Sequence, residues 1–309
     1  MTQPPRRTRA LGAGGVHSSL YASLRTNIPR ECMGFFDFPF VADESTGDPR
    51  RLVRLETELV RVHRDASAAS WRVVYSRKLS GAVSEEVEDE VFDAVVVCNG
   101  HYTEPRLASI ADRARAEEDG TIVFQDGSRV KADVIIHCTG YKYSFPFIGD
   151  GEEAAGICVD DNRVGPLYKH VFPPQLAPHI AFIGLPFKGI PFPLFELQSN
   201  WVAGVLSGRI ELPSQEKMMH DVETFYLEME AHGWPKRYTH GLTLTFEYED
   251  WLVEQCGLEK IEEWRKVIHL TARTKVSDQP ESYRDKWDDD HLLAQAHNDF
   301  TQKILTRSL

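Results

Sequence analysis

The chain has few cysteines and no closely spaced pair of them. Its five cysteines are scattered over 309 residues, at positions Cys32, Cys98, Cys138, Cys158 and Cys256. Because no C-x-x-C motif occurs, the sequence offers neither a disulfide framework nor a zinc site, and it argues against a disulfide reductase. An odd number of isolated thiols is typical of a reducing compartment, so we expect a cytoplasmic protein.

Long apolar runs and excess positive charge are also lacking. No stretch approaches the roughly eighteen apolar residues of a membrane span, so we expect no membrane anchor. The net charge of −12 argues against a general nucleic-acid or anionic-membrane binder. With 42% apolar and 27% charged residues, the composition is that of a globular protein with a sizeable core.

One pattern is present twice. Residues 93–102 read DAVVVCNGHY, and residues 133–142 read DVIIHCTGYK. In each copy a mainly apolar run ends in a cysteine, a polar residue and a glycine, as expected of a parallel strand that is buried on both faces. A glycine at the strand end lets a ligand approach the backbone. The two copies therefore predict strands of two related nucleotide-binding lobes, with core strands followed by turn glycines as the alternative.

Other periodic segments predict further strands. Apolar and polar residues alternate between Leu55 and Lys78, which indicates half-buried strands of a β-meander. Asp126-Gly127 predicts a hairpin with a type I′ turn, because that turn needs positive φ at both central residues. The run HIAFIGLPF, residues 179–187, predicts a short apolar strand.

The second half of the chain is predicted to be mostly helical. Residues 195–208 (FELQSNWVAGVLSG) predict a helix that ends before Gly208. Its expected apolar face consists of Leu197, Trp201, Val202, Val205 and Leu206. Ser214 is predicted to cap a second amphipathic helix through Ala231. The charged remainder to Leu309 is also expected to be mainly helical.

Four blocks closely resemble the flavin-containing monooxygenases, and in particular the plant-type branch associated with S-oxygenation of thioethers. These blocks are residues 19–40 (SLYASLRTNIPRECMGFFDFPF), 92–105 (FDAVVVCNGHYTEP), 132–147 (ADVIIHCTGYKYSFPF) and 191–208 (PFPLFELQSNWVAGVLSG). The CTGY run is similar to the ATGY-like signature that links the two nucleotide domains of the family. The resemblance extends in order from about Val16 to at least Leu242.

The resemblance implies a flavoprotein that uses FAD and NADPH. Hydride passes from NADPH to FAD, and the reduced flavin adds O₂ to form a C4a-hydroperoxide. This species transfers one oxygen atom to a soft nucleophile, which is a thioether sulfur or an amine nitrogen. The implied partners are a small thioether or amine substrate and O₂, and the shortened chain leaves association with full-length relatives open.

The resemblance also implies one catalytic residue, Asn27 in RTNIPRE. It falls on the Thr-Asn position of the family, where the amide lies near the flavin edge and the nicotinamide. An amide suits this place because it can donate a hydrogen bond to a peroxide oxygen while carrying no charge. From the residues alone, Asn27 before Ile-Pro is a turn residue, and this alternative stays open.

Seven residues are implied to bind the cofactors: Gly100, His101, Thr139, Gly140, Tyr141, Glu196 and Gln198. Gly100 and Gly140 would permit backbone approach, while His101 and Tyr102 would line the adjoining cleft unless they serve only in packing. Glu196 and Gln198 are placed in the first turn of their helix, whose positive end would stabilise the reduced flavin ring. Helix capping is the alternative role of Gln198.

The chain departs from the family at its phosphate-binding loops. Residues 12–17 (GAGGVH) lack the last glycine of G-x-G-x-x-G, and the acids in residues 149–154 (GDGEEA) would repel a phosphate. Only residues 106–132 lie between the block at 92–105 and the second copy of the repeated pattern, and a hairpin uses about half of them. A βαβ unit needs roughly thirty residues, so most of the NADPH lobe has no room. The sharp edges of these gaps are typical of missing exons or of a gene-model error.

We therefore expect an α/β fold: an incomplete flavoprotein with two dinucleotide-binding domains. It would comprise a Rossmann-like FAD lobe with a β-meander and only a small part of the NADPH lobe. We predict a disordered leader over residues 1–15 (with a transit peptide as the alternative), a flavoprotein region over 16–213 and a helical region over 214–309. A catalytically inactive remnant that binds or regulates a partner is the alternative to an active monooxygenase. Missing central elements would expose apolar edges and favour aggregation.

Overall fold

The computed structural model describes residues 57–64, 70–77, 86–107, 114–134, 136, 138–148, 156–242, 246–285 and 289–307. Several predictions concern residues outside these ranges. The proposed catalytic Asn27, the leader, and the segments GAGGVH and GDGEEA all lie outside the described residues.

Twelve short strands are present in the described part of the chain. They are β1 (Thr57–Arg64), β2 (Trp71–Arg77), β3 (Glu86–Phe92), β4 (Val95–Val97), β5 (Glu104–Pro105), β6 (Ala114–Ala116), β7 (Thr121–Phe124), β8 (Arg129–Lys131), β9 (Tyr141–Lys142), β10 (Cys158–Asp160), β11 (Arg163–Gly165) and β12 (Ile180–Phe182). The antiparallel order β1-β2-β3 confirms the predicted meander, and Val62, Trp71 and Tyr75 are its buried hydrophobic residues.

The first copy of the repeated pattern forms a parallel strand, as predicted. Strand β4 pairs in parallel with β12, with Val95 opposite Ile180 and Val97 opposite Phe182. Strand β12 is fully buried, but Val96 is 39% exposed. The prediction of burial on both faces is therefore wrong for β4, because the face that carries Val96 is left partly uncovered.

The second copy does not form the predicted buried strand. Val134 and Ile136 lie outside any described strand and are 76% and 80% exposed. Only Tyr141–Lys142, after the glycine, pairs with another strand, the two-residue β5. A strand needs a neighbouring strand to complete its backbone hydrogen bonds. Among the described residues, Val134 and Ile136 have no such neighbour.

This exposed apolar segment leads to a prediction about solubility. The double variant Val134→Ser, Ile136→Ser should aggregate less than the parent chain and bind less of a hydrophobic dye, because both side chains lie in water. The free energy of unfolding should change by less than about 0.5 kcal/mol, as for other surface substitutions. Light scattering, dye fluorescence and urea unfolding measure these quantities. Equal aggregation of the two chains would contradict the prediction.

The hairpin at Asp126-Gly127 is present, but its turn differs from the predicted type I′. Strands β7 and β8 are antiparallel, and the Phe124 amide donates to the Ser128 carbonyl over 2.9 Å. Gly127 has φ +83°, whereas Asp126 is not in the positive-φ region. A three-residue loop with one left-handed glycine explains this geometry. The Asp126 carboxylate supports it by accepting hydrogen bonds from the Ser128 amide and hydroxyl, at 2.9 and 2.7 Å.

Five α-helices are described. They are α1 (Pro191–Leu206), α2 (Gln215–Ala231), α3 (Glu247–Cys256), α4 (Glu263–Asp278) and α5 (Asp290–Arg307). Helix α2 confirms its predicted bounds, since the Ser214 hydroxyl accepts from the Lys217 amide over 3.3 Å. Helix α1 begins four residues earlier than predicted, and Leu206 is 43% exposed instead of buried. Gly208 ends α1 with φ +72°.

The main core lies where α1 packs against α3. Leu197, Trp201 and Val202 of α1 and Leu252 and Val253 of α3 are all at most 3% exposed. A second buried cluster surrounds β12 and the meander, and a third joins α4 to α5. Among the described residues, no helix combines the length and apolarity needed to cross a membrane.

Candidate functional site

The loops that follow the two copies of the repeated pattern meet. Strand β5 pairs antiparallel with β9, which places Pro105 opposite Tyr141. The Arg106 amide donates to the Gly140 carbonyl over 2.8 Å, and the Arg106 guanidinium donates to the Thr139 carbonyl over 3.1 Å. The Thr139 hydroxyl donates in return to the Arg106 carbonyl. The structure therefore brings Thr139, Gly140 and Tyr141 against the segment that follows Gly100 and His101, and the ring centroid of Tyr141 lies 5.5 Å from that of Tyr102.

The two turn glycines leave open space beside the backbone. Gly100 has φ +71° and Gly140 has φ +80°, a conformation that residues with a side chain rarely adopt. A Cβ atom added to either glycine would meet no atom within 4 Å. The backbone can therefore be approached closely at both turns, as the binding of a flat ring requires.

His101 lies next to the first turn and is half-buried. Its ring centroid is 4.3 Å from that of Tyr102 and 5.1 Å from that of Tyr143. Burial lowers the pKa of His101, and a hydrogen bond with the Gly184 backbone offsets part of this effect. Its Nδ1 atom is buried and has no hydrogen-bond partner among the described residues. A neutral imidazole with one unused nitrogen can bind a polar ligand atom.

Gln198 lies within the protein core, and both ends of its amide are used. Its Oε1 atom accepts from the Gly184 amide over 3.0 Å, and its Nε2 atom donates to the Tyr248 hydroxyl over 2.9 Å. The Tyr248 hydroxyl donates in turn to the Lys169 carbonyl over 2.7 Å. Gln198 thus ties α1 to the loop after β12 and to α3.

The predicted place of Glu196 and Gln198 in the first helical turn is wrong. Because α1 begins at Pro191, both residues lie in its second turn, and no acidic residue occupies the first. Pro191 and Pro193 also remove two backbone donors from this helix end. A phosphate held by a helix N-terminus needs those donors, so the start of α1 suits it poorly. Gln198 instead contacts the Gly184 backbone, which also forms a hydrogen bond with His101 beside the first glycine turn.

A cleft of about 470 Å³ opens beside His101 and Tyr102. Its other walls are residues 186–189 after β12, the start of α1, and one face of α4 that carries His269, Ala272, Arg273 and Val276. Sequence reasoning missed the contribution of α4. The available signal was the spacing i, i+3, i+4 and i+7, which places these four residues on one helical face.

The described residues fit the ring system of a flavin better than its diphosphate. The open backbone at Gly100 and Gly140 and the unpartnered nitrogen of His101 suit a flat ligand with a polar edge. The start of α1, in contrast, lacks the donors that cradle a phosphate. The described residues would therefore hold part of an FAD molecule.

Comparison with known proteins identifies the relatives of this chain. Residues 109–251 match the family model described as flavin-binding monooxygenase-like. Flavin-containing monooxygenase FMO GS-OX-like 2 from Arabidopsis thaliana is 42% identical over 391 aligned positions, which cover 93% of this chain and 82% of that protein. FMO GS-OX-like 4 from the same plant is 40% identical and covers 93% of this chain and 84% of its own length.

Solved structures agree with these relatives. The S-allyl-L-cysteine S-oxygenase from Allium sativum superposes with a TM-score of 0.82 at 41% identity, over 93% of this chain and 85% of the other. Tmm from a Pelagibacter strain gives a TM-score of 0.70 at 18% identity, over 88% of this chain and 80% of the other, and supports the fold alone.

The alignment with the first Arabidopsis relative also shows that the chain is shortened. Since 93% of 309 residues is about 287, roughly 100 of the 391 aligned positions have no counterpart in this chain. The chain is a shortened member of the flavin-containing monooxygenase family, on its plant-type branch.

Proposed function

We propose that this chain is a flavin-dependent monooxygenase that oxygenates the sulfur of small thioethers, with amine nitrogen as a second acceptor. The observation that carries the proposal is the pairing of the segments that follow the two glycine turns, Glu104–Pro105 with Tyr141–Lys142, together with the open backbone at Gly100 and Gly140. The identity of 41% with an S-allyl-L-cysteine S-oxygenase supports sulfur as the acceptor atom.

In this proposal each site residue has a distinct role. When bound, FAD supplies the oxygen-transfer chemistry and NADPH the reducing equivalents. Gly100 and Gly140 would admit the ring, Thr139 and Tyr141 would fix the second turn, and His101 would bind a polar atom at the ring edge. In this proposal Asn27 is the catalytic amide. Gln198 acts as a positioning residue, because its hydrogen bond holds the Gly184 backbone.

The organisation of the chain is part of the same proposal. Residues 16–213 would form the flavoprotein region, with most of the NADPH lobe missing, and residues 214–309 the helical region after a leader of 15 residues. The isolated cysteines support a cytoplasmic location as part of this proposal.

A second candidate function is a non-catalytic remnant that binds or regulates a partner, such as a full-length relative. The observations that favour it are the roughly 100 missing alignment positions and the exposed side chains of Val134 and Ile136. Such an exposed apolar segment is typical of an interface that has lost its neighbour.

One experiment separates the two functions. The purified chain is incubated with FAD and desalted, and its visible spectrum is recorded, followed by NADPH oxidation with and without a thioether. Retained flavin and thioether-dependent NADPH oxidation would support the monooxygenase. A chain that is folded by circular dichroism but retains no flavin would exclude that activity and favour the remnant.

The role of the second glycine turn can be tested with a matched pair of variants. Gly140→Leu should abolish flavin retention, because its side chain would fill the open space beside the turn. Gly127→Leu at the hairpin tip is the control, since Gly127 has a nearly equal φ of +83° and also meets no atom within 4 Å. Both variants should lose about 1–2 kcal/mol of stability from the left-handed backbone. Equal flavin binding by the two would contradict the proposed site.

A further inference from the structure

The cleft beside His101 carries positive charge without an acidic partner. Lys188 and Arg273 both line it, and neither forms an ion pair with another described residue. The hydrogen bond from the Arg273 guanidinium to the Lys188 carbonyl is long, at 3.5 Å. None of the described lining residues is acidic, although the chain has a net charge of −12. A concave site that is lined by charges of one sign concentrates ligands of the opposite charge.

His269 adds a buried polar group to this wall. It is only 4% exposed, and neither of its ring nitrogens forms a well-shaped hydrogen bond with the described residues. Burial, followed by the charge of Arg273, lowers the pKa of His269, and the nearby Lys188 backbone offsets part of this effect. The ring is therefore neutral near pH 7, and one nitrogen carries a proton to donate. Leaving buried polar atoms unpaired costs free energy, and a ligand that accepts a hydrogen bond would recover part of it.

The remaining walls are apolar. Phe187, Leu194, Phe195 and Val276 line the cleft, and Tyr102 connects it to the Gly100 turn. A volume of about 470 Å³ with few polar groups lies in the usual range for a small-molecule site. The arrangement suits a ligand that has an apolar chain and one anionic end.

We propose that this cleft is the substrate site and that Arg273 and His269 bind a carboxylate group of the substrate. The thioether chain then lies along the apolar wall toward the Gly100 turn, and Lys188 adds to the positive field. The inference rests on the proposed function and narrows its substrate class to thioethers that carry a carboxylate. An arginine provides paired donors that match a carboxylate, and the imidazole adds a third.

The test measures binding to the full chain in the absence of flavin, by calorimetry. The probes are 3-(methylthio)propanoate and its neutral analogue 3-(methylthio)propanamide. The propanoate should bind roughly tenfold or more tightly than the amide, since a charge-assisted hydrogen bond is lost with the amide. Arg273→Gln should reduce the affinity for the propanoate to the level of the amide. His269→Phe should also weaken binding while its thermal midpoint stays equal or rises, because two unpaired nitrogens are removed.

Arg209→Gln is the matched control, as Arg209 is an exposed arginine outside the cleft, and it should bind the propanoate like the parent chain. Equal affinity for both probes, or equal losses in the Arg273 and Arg209 variants, would overturn the proposal. Binding of NADP⁺ instead of the propanoate in an Arg273-dependent manner would also overturn it and assign the cleft to a nucleotide. Because no flavin is present, failure of FAD retention and failure of this test are independent results.

Discussion

Replacing Trp201 with alanine is expected to lower the free energy of unfolding by about 3–5 kcal/mol, the range for a large aromatic in a close-packed core. Trp201 is 1% exposed, and its ring centroid lies 5.0 Å from those of both Phe172 and Trp251. Tyr168 is a further neighbour at 6.0 Å. These contacts join α1 to α3 and to the loop before β12, so the cavity would affect all three elements.

Urea unfolding monitored by far-ultraviolet circular dichroism measures the effect, with Trp234→Ala as the control. Trp234 is 51% exposed and stacks on His232 at 4.8 Å, so its removal should cost less than about 1 kcal/mol. Trp201→Phe should cost less than Trp201→Ala, because the indole nitrogen has no partner among the described residues and only part of the volume is lost. Equal losses for Trp201→Ala and Trp234→Ala would show that α1 is not central to the core.

The helices show which features of the fold can be predicted from the local sequence pattern. The cap at Ser214 and the apolar stripe of α2 could be predicted from the sequence, because a helix forms its hydrogen bonds within one segment. The start of α1 at Pro191 was missed, since the predicted helix began at Phe195, although proline is favoured in the first turn of a helix. Leu206 fits the apolar period of α1, but it lies in the last turn, beyond the packing contact with α3.

The strands depend on partners that are distant in sequence. Residues 95–97 and residues 134–136 carry similar apolar runs, yet only the first pairs with β12. Local pattern cannot show whether a run has a neighbouring strand to pair with. Val134 and Ile136 are exposed although valine and isoleucine favour half-buried strands.

The residues of the candidate site were likewise predicted only in part. Gly100 and Gly140 were identified because their left-handed turns follow an evident motif. His269 and Arg273 lie more than 120 residues away on a helix without a motif, and only the tertiary fold brings them to the cleft that His101 lines. Gln198 was selected as a cofactor ligand, but its full burial beside Tyr248 could not be read from its place in FELQSNW.

A buried carboxyl group gives the second large effect, which depends on pH. Glu249 is 3% exposed in α3, and its Oε1 atom lies against the backbone of Gly189. Burial raises the pKa of Glu249 from 4.5 to about 7, with the charge of Asp250 adding to the rise and that of Lys266 opposing it. Between these two values the folded chain holds a proton that the unfolded chain has released. Stability contributed by this group is therefore complete below pH 4.5 and is lost as the pH rises through 7.

The variant Glu249→Gln has no carboxyl group to ionise, so its stability relative to the parent chain should rise by about 2–3 kcal/mol between pH 5 and pH 8. The variant and the parent must be compared at each pH, because burial lowers the pKa of His170 to about 4 and makes both chains lose stability in acid. Glu254→Gln on the same helix is the control, since its exposed side chain should leave the difference flat. Urea midpoints at several pH values measure the effect. A difference that does not change with pH would mean that Glu249 ionises alike in the folded and unfolded chains, and burial beside Gly189 would then carry no electrostatic cost.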